Sequence, residues 1–336
     1  MAVHGSPLSR ERVSRRDFLK RAAGATASAA GIVLIGSGSP DRAYAQDRDD
    51  HAGRPDAGTR VPRRRLGETG LEVSIVGLGG AIAVALNPDH AESIVRRAID
   101  LGVNYIDTAH QYGESEANIG RVMRERRGEV ILASKTDDRT YDGTMRQFEE
   151  SLRRLETDHL DLYQLHAIHS EADMDAALDR RGALAAIERL REQGAVRHIG
   201  ITAHRHSTLL SSALERYPFD CVLLSLNAGD VHHDSMIANA LPTATAKQMG
   251  VIAMKVCAYD GRIFREGGVP SMREALGYTL SHPVSTAIVG VSTIAELEEN
   301  VRVATEFEPM PREEMRRIEE LTRSYARDAN FFKYEW

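Results

Sequence analysis

Eight short apolar or β-branched runs, the helical-period stretches between them, and a length of about 290 residues once a leader is set aside predict an α/β chain folded as a closed (β/α)8 TIM barrel. The runs are "VSIVGLG" from Val73, "VNYID" from Val103, "VILASK" from Val130, "LDLYQLH" from Leu160, "VRHIGIT" from Val196, "CVLLSL" from Cys221, "VIAMKV" from Val251 and "STAIVGV" from Ser285. They are continuously apolar rather than alternating, which implies a parallel sheet buried on both faces. Between them, apolar residues recur every three or four positions; after Gly143, Met145, Phe148, Leu152 and Leu155 share one helix face. A doubly wound open sheet has the same alternation, but it usually carries a Gly-rich phosphate turn after its first strand, and "GLGGAIAVALNP" supplies only part of one. Ahead of the barrel, "LGETG" (Leu66 to Gly70) between "RRR" and "LEVS" predicts a β-hairpin. Beyond the eighth unit, "REEMRRIEELTRSYA" from Arg312 predicts an extra C-terminal helix. The barrel domain is assigned to residues 63–336.

The N-terminal region reads differently. "SRRDFLK" (Ser14 to Lys20) precedes an uncharged run from Ala22 to Gly36 and then "AYA" (Ala43 to Ala45), the order of a cleavable signal peptide over residues 1–45. The apolar run is shorter than the roughly 20 residues of a spanning helix, so no stable membrane span is expected in the mature form. The paired arginines resemble the twin-arginine (Tat) signals of bacteria, which implies passage of a folded chain through the Tat export machinery to a periplasmic or otherwise exported location. Residues 46–62 are polar and rich in Asp, Gly and Pro, and predict a flexible leader.

Residues 1–45 hold seven basic and three acidic side chains, so cleavage takes the formal charge from −6 to −10. That acidity argues against nucleic acid and anionic membrane surfaces as partners. Two cysteines, Cys221 and Cys257, exclude a disulfide framework and Cys-spaced metal clusters, and both are expected to be buried small residues.

In this type of barrel, chemistry gathers at the C-terminal ends of the strands. Asp107 ends the second barrel strand, with Tyr112 in the loop behind it; Lys135 ends the third and His166 the fourth. A tyrosine is a weak acid at neutral pH, a neighbouring ammonium favours its phenolate, and a carboxylate can hold that ammonium. A neutral histidine can donate from Nε2 to a carbonyl oxygen. Together these four groups can polarise and protonate a carbonyl. Of the remaining histidines, His169, His198, His204 and His206 are read as structural, and His110, in the loop of Tyr112, can line the cleft.

"LGETGLEVSIVGLGG", "GVNYIDTAHQYGESEANIG", "ESLRRLETDHLDLYQLH" and "GVIAMK", in this order, resemble the aldo/keto reductase family from Arg64 to about Val301. The resemblance implies a catalytic tetrad of Asp107, Tyr112, Lys135 and His166, with tyrosine as the general acid. It also implies hydride transfer between NADP or NAD and a small-molecule carbonyl or alcohol, with the dinucleotide lying across the mouth, possession of which before export would explain a folded-export signal. Cofactor contacts are implied for Gly80, Asp107, Thr202, Leu226, Lys255, Gly290, Ser292, Glu299 and Asn300.

Several of these positions depart from the family pattern. Thr202-Ala203 stands where Ser-Asn is frequent, and Leu223 and Leu226 stand for a glutamine and an aromatic residue. Lys255-Val256-Cys257 replaces Ser-Pro-Leu, so Lys255 is expected to bring positive charge towards the pyrophosphate. Ser292 and Glu296 occupy the segment where NADPH-using members often place an arginine for the 2′-phosphate, which implies weakened NADPH preference. These departures keep a second function open, a non-redox binding or regulatory protein on the same scaffold, against which the complete tetrad speaks.

Overall fold

The computed structural model describes residues 61–334. The proposed signal peptide and nearly all of the leader lie outside the described residues, as does Trp336.

Strands β3 (Val76–Gly79), β4 (Tyr105–Asp107), β5 (Ile131–Thr136), β6 (Leu160–Leu165), β7 (Val196–Ala203), β8 (Cys221–Ser225), β9 (Gly250–Met254) and β10 (Thr286–Val289) close into a barrel in which β10 pairs with β3. Every pairing is parallel. The expected barrel is therefore present, each strand matching one of the apolar runs.

The predicted hairpin is β1 (Arg63–Arg65) paired antiparallel with β2 (Glu72–Ser74). Sequence reading joined Val73 and Ser74 to the first barrel strand, whereas the chain breaks at Ile75, where Ser74 Oγ donates to Val76 O at 2.7 Å. The hairpin plugs the N-terminal end of the barrel: Leu66 and Val73 belong to one apolar cluster with Tyr105, Leu162, Leu223 and Ile252. Gly67 makes this seating possible, since it has φ +55° and a Cβ there would lie 2.2 Å from the Gly250 nitrogen. Asn104, just ahead of β4, ties the hairpin down by accepting from Ser74 N–H (2.6 Å) and donating to Glu72 O (2.9 Å).

Several helices start on side-chain caps. Asn87 accepts from His90 N–H ahead of α2 (Pro88–Asp100), Thr140 from Gly143 ahead of α4 (Tyr141–Arg154), and Ser170 from Asp173 ahead of α5 (Glu171–Leu178). The other elements are α1 (Ala83–Leu86), α3 (Ser115–Arg126), α6 (Ala183–Glu192), α7 (Ser207–Arg216), α8 (Ala240–Ala246), α9 (Met272–Leu280), α10 (Ile294–Thr305), α11 (Arg312–Thr322) and α12 (Ala326–Ala329). The helix from Arg312 is thus the expected addition beyond the eighth unit. On the predicted face of α4, Phe148, Leu152 and Leu155 are buried and Met145 is half-buried. Cys221 is buried as expected; Cys257 is only half-buried.

The C-terminal segment is fastened across the loop that follows β8. Asn227 and Asn330 exchange amide hydrogen bonds of 2.8 and 3.1 Å. The buried Lys333 ammonium pairs with Asp230 and donates to Asp234 O at 2.9 Å. Asp230 in turn accepts from Ser235 Oγ and from the Ile237 amide. Among the described residues, no helix is long and apolar enough to cross a membrane, and no group of three or more potential metal ligands occurs.

Candidate active site

Asp107, Lys135 and His166 reach the mouth from three consecutive strands. Lys135 and Asp107 form an ion pair whose side chains are 1% and 2% exposed, and Lys135 Nζ also donates to Thr108 O at 2.8 Å. Gln164, one position before the end of β6, donates from Nε2 to the other Asp107 oxygen at 3.2 Å, while its Oε1 is buried without a hydrogen-bond partner among the described residues. Burial drives the Lys135 ammonium towards neutrality, but Asp107 and Tyr112 more than offset this and hold its pKa above the usual lysine range.

Tyr112 is held by turns at both ends, its N–H donating to Ala109 O (3.0 Å) and its carbonyl accepting from Ser115 N–H (3.0 Å). Its half-buried ring meets His166 edge-on at 5.6 Å between centroids, and Lys135 Nζ lies 5.0 Å from the ring centre. Sequence reading expected the ammonium to lower the phenol pKa. In the structure burial acts most strongly, in the opposite direction, and Lys135 only partly opposes it, so the phenol sits above its ordinary value. The lysine therefore acts here as a brake on desolvation. His166 is buried and its pKa falls well below the ordinary imidazole value, through burial first and then Lys135, His204, Arg139 and His169. Its imidazole is neutral at pH 7.

His110, in the loop of Tyr112, is held from the side of helices α3 and α4. It sits between the carboxylates of Glu116 (3.9 Å) and Glu150 (3.8 Å), and the wholly buried Glu116 accepts from Ser134 Oγ at 2.7 Å. Arg139, in the loop after β5, bridges Asp173 and the carbonyls of His166 and Ala167. Sequence reading missed Gln164, Glu116 and Arg139. Gln164 could have been found, since it lies on the inward-facing side of β6 two residues before His166; Glu116 and Arg139 carry no local signal.

The remaining positions spread around the same mouth. Gly80 packs close to β4: its N–H donates to Asp107 O at 2.8 Å, and a Cβ would lie 2.7 Å from Ser115 Oγ. Thr202, buried in β7, accepts from Ala167 N–H at 2.7 Å and keeps its own hydroxyl proton to donate. Leu226, just past β8, is wholly buried, whereas Leu223 lies deeper, in the apolar interior shared with the hairpin. Lys255 has left-handed backbone (φ +61°), and its ammonium lies over the rings of Tyr259 (4.5 Å) and Phe332 (5.5 Å). Burial lowers its pKa to about 8. Gly290 follows β10 beneath the side chain of Ile82.

At the start of α10 two backbone donors are engaged by side chains: the N-cap Thr293 Oγ1 accepts from Glu296 N–H (3.2 Å), and the Glu296 carboxylate reaches one residue past the cap to accept from Ser292 N–H (2.6 Å). His90 Nε2 contacts Ser292 O at 2.6 Å. Glu299 is exposed and Asn300 buried on this helix. Burial, then Glu296 and Glu299, push the nearby Cys257 thiol up to about 12, which leaves it unreactive.

Residues 76–263 match the profile of the aldo/keto reductase family. Over 284 residues the chain is 31% identical to the uncharacterized oxidoreductase YqkF of Bacillus subtilis, spanning 72% of this chain and 90% of that protein. It is 28% identical to L-galactose dehydrogenase of Arabidopsis thaliana over 75% and 91% of the two chains. The holo form of the aldo-keto reductase AKR11C1 from Bacillus halodurans superposes with a TM-score of 0.66 at 26% identity, covering 78% of this chain and 96% of that one. The chain belongs to the aldo/keto reductase family and is a nicotinamide-dependent oxidoreductase acting on the carbonyl–alcohol couple.

Proposed function

We propose that Tyr112 is the general acid in reduction and the general base in oxidation, that Lys135 and Asp107 govern its charge, and that His166 orients the substrate carbonyl. The observation that carries this reading is the buried Lys135–Asp107 pair beside a tyrosine ring that also meets a neutral histidine. The bound dinucleotide supplies or accepts the hydride. In reduction the Tyr112 hydroxyl gives its proton to the carbonyl oxygen, and the fixed Lys135 ammonium stabilises the phenolate that remains. His166, neutral because it is buried among cations, can donate from Nε2 to the same oxygen without competing as an acid. In oxidation the proton returns to Tyr112.

The residues at the mouth fit a nicotinamide and a ribose. Thr202 retains a donor for a carboxamide, Leu226 offers a buried apolar face, and Gly80, Gly290 and Asn300 border the rest of the proposed groove. They fit a 2′-phosphate poorly. The Glu296 carboxylate already accepts the Ser292 amide at the start of α10, where an anion would otherwise be favoured. This supports NAD as the preferred cofactor, with Ser292 and Glu299 beside its adenosine end. Lys255, drawn to Tyr259 and Phe332, contributes to the wall of the substrate side as well as to the local positive charge.

The paired-arginine signal supports export through the Tat machinery to the periplasm with the dinucleotide already in the barrel. Its regeneration there would require the enzyme to oxidise one substrate and reduce another. Mass spectrometry of the small molecules released on denaturing protein from the exported fraction tests this. Stoichiometric NAD is expected; a barrel without dinucleotide would refute loading before export, and NADP would refute the cofactor preference.

A further inference from the structure

We propose that Arg139 and Asp173, together with the Thr202 hydroxyl, form a clamp that aims the His166 imidazole at the substrate carbonyl. The proposal rests on the role given to His166 above. A catalytic histidine is usually fixed by a partner on its second ring nitrogen. Here Nδ1 of His166 is buried and has no hydrogen-bond partner among the described residues. With no partner on that nitrogen, the ring's direction rests on its backbone and on its edge contact with Tyr112.

That backbone is unusual and heavily tied. Ala167, the next residue, has φ +47°, a left-handed conformation that costs a non-glycine residue about 1 kcal/mol and persists only where neighbours impose it. The neighbours come from three elements. Thr202 Oγ1 on β7 accepts from Ala167 N–H at 2.7 Å. From the loop after β5, Arg139 Nη2 donates to His166 O at 2.6 Å and to Ala167 O at 3.1 Å. Asp173, in the first turn of α5, accepts from Arg139 Nε (2.6 Å) and Nη2 (3.1 Å) and from His169 N–H (2.9 Å). Two further main-chain bonds, His166 N–H to Thr136 O at 2.9 Å and Ile168 N–H to Thr202 O at 3.1 Å, complete the turn.

The guanidinium is suited to this task because one planar fork can serve two carbonyls and a carboxylate at once, which an ammonium cannot. It also adds charge. With Lys135, His204 and His169, Arg139 is one of the groups facing His166, and all four disfavour its protonated form. Arg139 is thus a positioning residue with two separable effects, geometry through its hydrogen bonds and neutrality of the imidazole through its charge.

The test uses the full chain and the variants Arg139→Met, Arg139→Lys and Asp173→Asn. Aldehyde reduction, dinucleotide dissociation constant and thermal midpoint are measured, together with NMR titration of the His166 ring proton, assigned with His166→Ala. In Arg139→Met, kcat/KM is expected to fall about 10- to 100-fold, with dinucleotide affinity within about twofold of the parent. Its His166 titration should move upward in pH. Arg139→Lys should lose rate similarly while its titration stays close to the parent's, separating aim from charge. Parental rates in a folded Arg139→Met and in Asp173→Asn would overturn the clamp, as would a rate loss fully matched by weaker dinucleotide binding. If Arg139→Met does not fold, Asp173→Asn, which keeps the side-chain shape but removes the carboxylate that holds Arg139, alone decides: a several-fold fall in kcat/KM at unchanged dinucleotide affinity supports the clamp, and an unchanged rate overturns it. If the parent protein reduces no carbonyl, the role of His166 fails by itself, while the titration still reads the Arg139 contact, and an unmoved titration in Arg139→Met overturns the clamp as well.

Discussion

Replacing Lys135 with methionine removes one member of an ion pair whose two side chains are almost wholly excluded from solvent. The Asp107 carboxylate is then left with a single side-chain donor, Gln164 Nε2 at 3.2 Å. A buried charge stripped of its partner costs about 3–5 kcal/mol of stability. The alternative open to the protein is to protonate Asp107, whose pKa burial already raises. The sign follows from linkage: with a folded pKa above the unfolded one, the folded state holds more protons, so stability is retained at low pH and lost as pH rises through the folded pKa. The loss of stability relative to the parent at the same pH should therefore be markedly larger at pH 8 than at pH 5. The double variant Lys135→Met/Asp107→Asn removes both charges and should cost only about 1–2 kcal/mol, chiefly because the Thr108 carbonyl loses its donor. Urea unfolding of the parent, the single and the double variants gives these differences directly. A single variant that loses less than about 1 kcal/mol, or a double variant less stable than the single, would refute the claim that pairing offsets burial at this site. Activity should not follow stability, since the double variant is restored in fold but lacks the ammonium beside Tyr112.

Two further outcomes follow from the same electrostatics. Glu296→Gln preserves a hydrogen-bonding group for Ser292 N–H but removes the carboxylate charge, so NADP(H) affinity should gain about 1 kcal/mol, or roughly fivefold, relative to NAD(H); fluorescence titration with both reduced dinucleotides checks this, and an unchanged ratio would contradict it. The depressed pKa values of His166 and His204, the latter lowered by burial and nearby cations to about 3, mean that these imidazoles stay neutral in the fold while gaining protons in the unfolded chain. Their stabilisation is complete above an unfolded pKa near 6.5 and declines as pH falls, by about 2 kcal/mol for each group between pH 7 and pH 5. Calorimetry across that interval should show the thermal midpoint falling by roughly 5–15 °C; a flat profile would mean that one or both rings become protonated without unfolding.

The barrel was legible because strands buried on both faces cannot alternate, and the eight apolar runs reproduce the eight strands. The candidate site at the mouth was legible for a related reason: an ionisable residue at the end of an otherwise apolar run is conspicuous, and Asp107, Lys135 and His166 all stand there. What was hidden depends on distant parts of the chain. Nothing around Arg139 in "TDDRTYD" announces that it will cap the carbonyls of residues 166 and 167, and nothing around His110 announces that the carboxylates of Glu116 and Glu150 will flank its ring. Lys255 was expected near a pyrophosphate from its place in the family pattern after the seventh strand, yet Phe332 at the far end of the chain supplies one of the rings beneath it. The direction of the Tyr112 shift was missed because charge can be read from residue identity, whereas desolvation depends on how the loop packs. Leu223 shows the same limit in the interior, where its apolar character serves the cluster that the hairpin closes.

The most direct test of the account compares the parent protein with Tyr112→Phe, which removes one hydroxyl and preserves the ring that meets His166. Oxidation of NADH and NADPH is followed at saturating aldehyde, and dinucleotide binding is measured on the same preparations. The parent should turn over with a preference for NADH, and the variant should lose turnover by about 100-fold or more while binding the dinucleotide within about twofold of the parent. A variant that retains parental turnover would remove Tyr112 from the chemistry and contradict the mechanism proposed for this barrel.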